Sequence, residues 1–400
     1  MSLGDIGIGG DVMTRIFAAA VLGLSVTVCH AQSSVTLYGV VDDAFMFNSN
    51  DGGKHQYALL DGAMNSNRWG LKGNEDLGGG WAALFTVEGG FSLNSGAMGN
   101  SNTLFGRNSF VGLSGPYGKV TLGRQYSVGD SYTGELSAGG TWAFNGSGAG
   151  AHPADVDNLD DFRWINNAII YATPEYRGLS GKVMYSPGGV PGSTKENSII
   201  GVGAGFNNEN LRVGIGYLVV NNPNYSFYGN NAGSSATGSN FWSPVDSGFA
   251  SAGSERIFSA GASYSFGPAT LGVVYSNTQF RDLGKTPVAG LTDTENAYRG
   301  TQTFNIGELN ATYQFSPAML LGVSYAYTHS SGVTSATYHQ VNLGFDYSIS
   351  KRTDFYGGVV YQHAAGTDSR GLPAVANIAA VDPSSGQNQT VALVGISHKF

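Results

Sequence analysis

Cysteine is almost missing from this sequence of 400 residues, which contains only Cys29, close to the N-terminus. If that segment is removed on export, the remaining chain has no disulfide, no thiol nucleophile and no cysteine-based metal site. We therefore expect no cofactor, no metal and no catalytic residues.

Charged residues are also few, at 12% against about 25% in an average soluble domain. Acidic residues outnumber basic ones by 28 to 20, for a net charge of -8. Phosphate backbones are bound by clusters of Lys and Arg, which a sparse and acidic composition does not supply. The composition therefore argues against nucleic acid as a partner.

Long apolar runs are absent beyond the N-terminal segment. No later stretch of 18 or more apolar residues is free of charge, which excludes spanning helices, and the mean hydropathy is only -0.08. Glycine is abundant instead, with 61 residues, together with 21 Tyr and 21 Phe. A membrane barrel with a polar interior fits this composition, because only every second residue of its strands faces lipid.

The first 31 residues have the pattern of a secretory signal peptide. A short basic start at Met13 and Arg15 is followed by an apolar run, and Cys29 and Ala31 occupy the two positions that a signal peptidase reads. Asp5 and Asp11 do not belong in such a basic region, so we expect the natural start at Met13. The alternative, an N-terminal anchor helix, is disfavoured because the apolar run is too short to span a membrane.

From residue 34 onward the chain repeats one unit, a strand of alternating apolar and polar residues followed by a turn. Val341, Leu343 and Phe345 fall on one face of such a strand, and Gln340 and Asn342 fall on the other. Connections alternate between short and long, with one long connection expected at residues 48–64. The count comes to about sixteen strands, which predicts an all-β protein, a 16-stranded antiparallel transmembrane β-barrel.

A soluble β-sandwich or a β-propeller is the alternative fold. A sandwich buries one strand face in a dry core, yet Glu308, Asp346, Arg212 and Lys182 lie in mid-strand, where burial without a partner is costly. A propeller requires a motif that recurs every 40–50 residues, and none is found. The barrel is therefore preferred.

Residues 127–167 interrupt the alternation for about forty residues, far longer than an ordinary connection. They include Trp142, Phe144 and Trp164 as apolar anchors, and a concentration of acidic residues. A disordered segment is not composed in this way. We expect a loop, the third on its side of the barrel, folded inward to narrow the tube.

Several local motifs resemble the Gram-negative general (non-specific) porins of the outer membrane. They are residues 34–39 (Ser-Val-Thr-Leu-Tyr-Gly), 67–73 (Asn-Arg-Trp-Gly-Leu-Lys-Gly) and 106–113 (Gly-Arg-Asn-Ser-Phe-Val-Gly-Leu). Residues 122–125 and 394–400 are similar to the β-proteobacterial branch of that family. The resemblance covers the whole exported chain, residues 32–400, as one porin β-barrel.

The resemblance implies a Gram-negative outer-membrane location and a homotrimer, in contact with outer-membrane lipid and lipopolysaccharide. It also implies that the barrel-assembly machinery recognises the C-terminal aromatic strand, which ends at Phe400. Phe400 can also be interpreted more simply as an ordinary residue of the aromatic girdle. This interpretation is compatible with recognition by the assembly machinery.

A basic wall of the pore is expected at Arg68, Lys72, Arg107 and Arg163. Arg68 and Lys72 share a strand face, and a basic side chain on the lipid side costs about 2–4 kcal/mol at the bilayer midplane, so both should face the lumen. Arg68, Arg107 and Arg163 match the arginine cluster of the family by local motif, Arg163 most loosely.

An acidic side of the constriction is expected opposite that wall. Glu135 resembles the turn-and-acid motif of the loop in the family, and the remaining candidates follow by proximity: Asp155, Asp157, Asp160 and Asp161. A basic wall that faces an acidic loop would create a transverse field across the pore. Two alternatives stay open, ordinary solvated loop charges and a Ca²⁺ site at residues 155–161, which lacks the Gly and Glu of an EF-hand.

The predicted function is passive diffusion of ions and small hydrophilic solutes through a water-filled pore, without enzymatic activity. One alternative is a substrate-specific channel, which would show an aromatic slide along its lumen. The other is an outer-membrane enzyme such as a lipase, which needs Ser, His and an orienting Asn or Asp. Ser330 lies beside His329, but neighbours on a strand point to opposite faces.

Overall fold

The computed structural model describes residues 34–229 and 239–400. The signal peptide expected at residues 1–31 lies outside this part of the chain. Within it, seventeen antiparallel strands form one sheet, which closes because β1 pairs with β17. The strands are β1 (Ser34–Asp51), β2 (Lys54–Asp61), β3 (Arg68–Gly78), β4 (Trp81–Gly90), β5 (Ser109–Gly115), β6 (Gly118–Gln125), β7 (Ile165–Ala172), β8 (Leu179–Ser186), β9 (Ile199–Asn207), β10 (Leu211–Asn221), β11 (Ser254–Phe266), β12 (Ala269–Leu283), β13 (Gly300–Ser316), β14 (Met319–Ser331), β15 (Ala336–Ser348), β16 (Thr353–Gly366) and β17 (Asn388–Lys399).

Helices in the described residues are short and lie in the connections. Two are α-helical, α1 (Gly99–Asn102) and α2 (Asp293–Asn296), and three are single 3₁₀ turns at Gly134–Leu136, Pro153–Asp155 and Ser247–Phe249. None of the helices in this part of the chain is long and apolar enough to cross a membrane.

The strands β2 and β3 occupy one position in the barrel, since both pair with β1, one after the other. Asp43 of β1 pairs with Asp61, and Val40 pairs with Arg68. The seventeen strands therefore give sixteen positions, which confirms the predicted sixteen-stranded barrel. The long connection expected at residues 48–64 is wrong: β1 and β2 form a hairpin there, closed by Gly52 and Gly53, which both have positive φ.

The two faces of the strands differ as the alternation predicts. On β15, Leu343 is 51% exposed, whereas Gln340 and Asn342 are buried. Large apolar side chains cover the outer face of the other strands as well, and Phe266 and Phe315 lie exposed at the short turns. The outside of the barrel is therefore apolar, and the polar face is turned inward.

The third loop, residues 126–164, connects β6 to β7 and lies against the inward faces of the opposite strands. Its Ala138 amide donates to Glu308 on β13 at 2.9 Å, and Gln340 on β15 donates to the Ala151 carbonyl at 2.9 Å. The Trp142 ring packs on Gly322 of β14, where an added Cβ would lie 2.4 Å from the indole. The loop thus follows the inner wall instead of extending into solvent.

The break between β2 and β3 at residues 62–67 is where the tip of this loop docks. The Gly146 amide donates to the Met64 carbonyl at 3.0 Å, and Ser66 Oγ donates to the Gly146 carbonyl at 2.8 Å. From β1, the buried Asp42 carboxylate accepts the amide of Asn65 at 3.0 Å. Backbone groups freed from the ladder are satisfied by these partners, as buried peptide groups require.

Glycines on β9 and β10 make room for the start of the third loop. A Cβ on Gly214 would lie 2.2 Å from the Tyr132 carbonyl oxygen, and one on Gly203 would lie 2.7 Å from the Tyr132 ring. Side chains at these inward positions would collide with the loop. Part of the high glycine content is therefore explained by close packing inside the barrel.

Candidate functional site

Glu88 on β4 joins two of the arginines that were predicted to share a wall. Arg107 Nε lies 2.7 Å from Glu88 Oε1, Arg68 Nε lies 3.8 Å from Oε2, and the Tyr38 hydroxyl donates to Oε2 at 2.9 Å. Sequence reasoning missed Glu88. The sequence feature that could have identified it is that Glu88 is the single charged residue of β4. A carboxylate in a membrane strand is expected on the face that points to the lumen.

Arg107 is held rigidly at the start of the third loop. Its Nη2 donates to the Tyr126 hydroxyl at 2.5 Å, and its guanidinium lies 5.5 Å from the centre of the Trp164 ring. The Arg124 guanidinium lies 5.4 Å from the same ring. Trp164 is therefore buried between two cations and does not line an open passage.

Lys72 is exposed on the same inward face as Arg68, with its Nζ 5.3 Å from the centre of the Tyr38 ring. Three further basic residues lie on inward faces near the short-turn end, and none of them was among the predicted site residues. Lys182 has its ammonium 5.6 Å from the centre of the Tyr132 ring. The three are Lys119 on β6, Lys182 on β8 and Arg212 on β10.

Glu135 is the one well-exposed member of the five acids predicted for the loop, with 57% of its side chain accessible. Its Oε2 lies 2.5 Å from Nη2 of Arg212, whose side chain is also partly exposed. The acid therefore pairs with a basic residue of β10 beside it. It does not face Arg68 or Arg107 as a free charge.

The four aspartates predicted to complete the acidic side lie inside the loop instead. Asp155 accepts the amides of Asp160 at 3.1 Å and Phe162 at 2.9 Å, and Asp161 accepts the Ser127 amide at 3.2 Å. Asp157 is buried as well, and it accepts the Ser276 hydroxyl of β12 at 2.5 Å. This corrects the expected placement, because a compact loop needs internal acceptors for its free amides.

Burial changes the protonation of these acids. Burial, with the nearby charge of Asp157 second, raises the pKa of Asp155 to about 7. Burial likewise raises the pKa of Asp160 and of Asp161 well above the usual range, and raises that of Asp130 to about 7. At neutral pH the loop therefore carries less negative charge than its sequence indicates.

Arg163 does not lie with the other predicted basic residues. Its side chain is buried, its Nη2 forms an ion pair with Asp246, and its Nε donates to the Asn240 carbonyl at 3.1 Å. Its Nη1 donates to the Asp155 carbonyl at 2.9 Å. The arginine thus ties the third loop to residues 239–253, a role that local motif similarity could not distinguish from pore lining.

Phe400 closes the barrel beside β1. Its amide donates to the Gly39 carbonyl at 3.1 Å, and its carbonyl accepts the Gly39 amide at the same distance. A Cβ on Gly39 would lie 2.3 Å from the Phe400 ring, so this glycine provides the space in which the exposed ring rests.

No metal site is formed by the predicted acids. Across residues 34–229 and 239–400, no group of three or more His, Asp or Glu side chains is placed to hold an ion. Asp155 and Asp161 use carboxylate oxygens for amides of their own loop, and Asp157 Oδ2 lies 2.8 Å from His152 Nδ1 and accepts the Ser276 hydroxyl.

Comparison with known proteins agrees with this architecture. The model of the Gram-negative porin family matches residues 18–367. An outer membrane porin protein of Delftia acidovorans is 30% identical, over 96% of this chain and 99% of its own length. An outer membrane porin protein of Bordetella pertussis is 26% identical, over 85% and 92% of the two chains. A solved structure of an anion-selective porin from Comamonas acidovorans superposes with a TM-score of 0.69 at 24% identity, covering 92% of this chain and 100% of that one.

The chain belongs to the Gram-negative porin family. It is an outer-membrane channel protein of that class and not an enzyme. The family resemblance, the barrel class and the outer-membrane location predicted from the sequence are thereby confirmed.

Proposed function

We propose that this porin is a diffusion channel for ions and small hydrophilic solutes that favours anions. The carrying observation is the charge of the inward faces: Lys72, Lys119, Lys182 and Arg212 are at least partly exposed there. Of the predicted loop acids, only Glu135 is well exposed, and it is already paired. Rings of Lys and Arg favour anions in pores.

The charged constriction takes a different form from the one expected from the sequence. Arg68 and Arg107 supply positive charge beside Glu88. The third loop supplies bulk more than acidic charge, because Asp155, Asp157 and Asp161 are buried. The loop narrows the lumen by lying along the inner wall. Passage of solutes through the lumen is therefore limited by their size, and the solutes move past a basic surface.

Assembly as a homotrimer, association with lipopolysaccharide, and insertion by the barrel-assembly machinery belong to the same proposal. The resemblance to the family supports all three, and the exposed C-terminal Phe400 supports the last. Chemical crosslinking of the detergent-extracted protein tests the trimer, with a single monomer band as the contrary result.

Planar bilayer recordings with purified, refolded protein test the channel itself. We expect ohmic single-channel conductance and, in a KCl gradient, a zero-current potential with the sign of anion preference. Absence of conductance would refute the channel, whereas ohmic conductance with cation preference would refute only the proposed selectivity. The anion-selective porin of Comamonas acidovorans is a suitable reference protein.

A further inference from the structure

A cavity of about 420 Å³ lies at the long-loop end of the lumen. One side is the inward face of β1 and β2, and the other is formed by the third loop, by residues 242–243 before β11 and by residues 377–383 before β17. Residues that line it include Met46, Gln56, Leu60, Trp242, Asn377 and Asp382. A solute that enters from this end passes through this space before it reaches the basic residues below.

Trp242 is unusually exposed for its surroundings. It is 54% exposed, whereas Phe241, Val245 and Phe249 nearby are buried in a shared apolar cluster. Other exposed large side chains of this barrel are mostly on the outer, lipid-facing surface. Trp242 instead presents indole surface to the cavity inside the barrel, where it has no lipid to contact.

The Trp242 ring is held in place from within the protein. The Arg163 guanidinium lies 4.9 Å from its centre, and the Phe162 ring is stacked at 6.1 Å with an interplanar angle of 24°. Arg163 is in turn fixed by its buried ion pair with Asp246. An aromatic surface that is already immobilised loses little conformational entropy when it binds a solute.

Polar groups with different hydrogen-bonding capacity border the same cavity. Gln56, half-buried on β2, carries an amide that both donates and accepts, and the exposed Asp382 carries an acceptor carboxylate. An aromatic surface flanked by a few polar groups is the usual composition of a small-molecule site. The carboxylate disfavours anionic ligands through like-charge repulsion.

We propose that this cavity is a low-affinity binding site for neutral sugars, with Trp242 as its stacking surface and Gln56 and Asp382 as partners of the hydroxyl groups. A pyranose has an apolar C–H face that fits an aromatic ring and an edge of hydroxyls that fits these two side chains. A neutral planar aromatic solute would use the ring alone and leave both polar groups without a partner. This inference rests on the proposed channel function, since the sugar is a passing solute.

The test uses the full chain in planar bilayers, with maltose added on the long-loop side. We expect a saturable reduction of the ion current, and a half-blocking concentration that increases roughly fivefold in Trp242→Ala, given the energy of an aromatic contact. Trp242→Phe should retain most of the block. Trp81→Ala is the matched control, because Trp81 is also well exposed but lies at a short turn.

The outcomes separate this site from the channel. Ohmic conductance without saturable block by maltose, or equal block in Trp242→Ala and in the wild type, would overturn the sugar site and leave the channel intact. Block by nicotinamide, a neutral planar probe, without block by maltose would also overturn it. Absence of conductance would refute the channel and the site together.

Discussion

Glu308 in the wall of β13 lies 3.2 Å from His152 of the third loop, measured between Oε2 and Nε2, and both side chains are buried. The other carboxylate oxygen of Glu308 accepts the amide of Ala138 from an earlier part of the same loop. His152 also lies 2.8 Å from Asp157 through its Nδ1. One strand residue thus fixes two separate points of the loop inside the barrel.

Glu308→Ala should therefore loosen the third loop. Removal of one partner of a buried ion pair costs up to about 3–5 kcal/mol. Here His152 would keep only Asp157 as an ionic partner, and the Ala138 amide would lose its acceptor. We expect larger current fluctuations and faster protease cleavage within the loop, with the barrel still folded. Glu209→Ala, at an exposed short turn, is the control and should behave as the wild type. A Glu308→Ala channel with the same current fluctuations and the same protease resistance as the wild type would contradict the anchoring role.

A rise in pH should loosen the same loop. Burial lowers the pKa of His152, but the carboxylates of Asp157 and Glu308 outweigh it and raise the pKa well above its usual value, and the pKa of Asp155 is raised to about 7. Groups with a raised folded pKa stabilise the folded loop at low pH, and their contribution is lost as pH rises through that value. Current fluctuations should increase as pH rises from about 4 to 7, the interval between the usual pKa of Asp and the raised pKa of Asp155, and further at alkaline pH as His152 loses its proton.

A variant can isolate part of this pH effect. Asp160 Oδ1 is buried and has no hydrogen-bond partner among the described residues, and burial raises the pKa of Asp160 well above the usual range. The Asn side chain of the Asp160→Asn variant is neutral at every pH, so the current fluctuations of this variant should depend less on pH. The lowered pKa of Asp157 acts in the opposite direction, but only at more acidic pH. Identical pH profiles for the variant and the wild type would exclude Asp160 as a contributor.

Gly214→Val should displace the start of the third loop from β10. The new side chain would meet the Tyr132 carbonyl, and overpacking of this kind costs about 1–3 kcal/mol. We expect a changed single-channel conductance and a lower thermal stability of the folded protein. Gly307→Val is the matched control, because a Cβ on Gly307 meets no atom within 4 Å. Equal effects of the two substitutions would mean that strand propensity, and not the loop contact, is responsible.

Replacement of Arg68 and Arg107 by Gln should shift the zero-current potential toward cation preference. The double variant removes two positive charges and leaves the Glu88 carboxylate without its ionic partners. Addition of Glu88→Gln should reverse part of the shift. Arg163→Gln, which alters a buried residue, should not shift the potential in the same way. An unchanged potential in the double variant would show that neither arginine acts on the permeating ions.

Phe400→Ala should lower the amount of folded barrel in the outer membrane. The Phe400 ring rests against Gly39 at the closure of the sheet, and the substitution removes this ring while the backbone hydrogen bonds between the two residues remain. Phe315→Ala removes another exposed ring at a short turn and serves as the control. Membrane fractions with equal amounts of both variants would argue against a special role of the C-terminal ring.

The placement of some residues could be predicted from the sequence, and the placement of others could not. The faces of Leu343 and Gln340 were predictable, because side chains alternate along any strand and only one face of a membrane barrel meets lipid. Arg163 was misplaced because its partner Asp246 is distant in sequence and comes from another loop. The break after Asp61 was missed for a similar reason, since it is stabilised by docking of Gly146.

The sequence by itself determined the closed barrel, its apolar exterior and the position of its long third loop, since these follow from periodicity, strand count and turn spacing. Only the tertiary structure decided which charges face the lumen. Ion pairs such as Glu88 with Arg107, and burial such as that of Asp155 and Asp161, join residues from different strands and loops. The effect of such contacts depends on distances in space and on removal of water, which local sequence patterns do not encode.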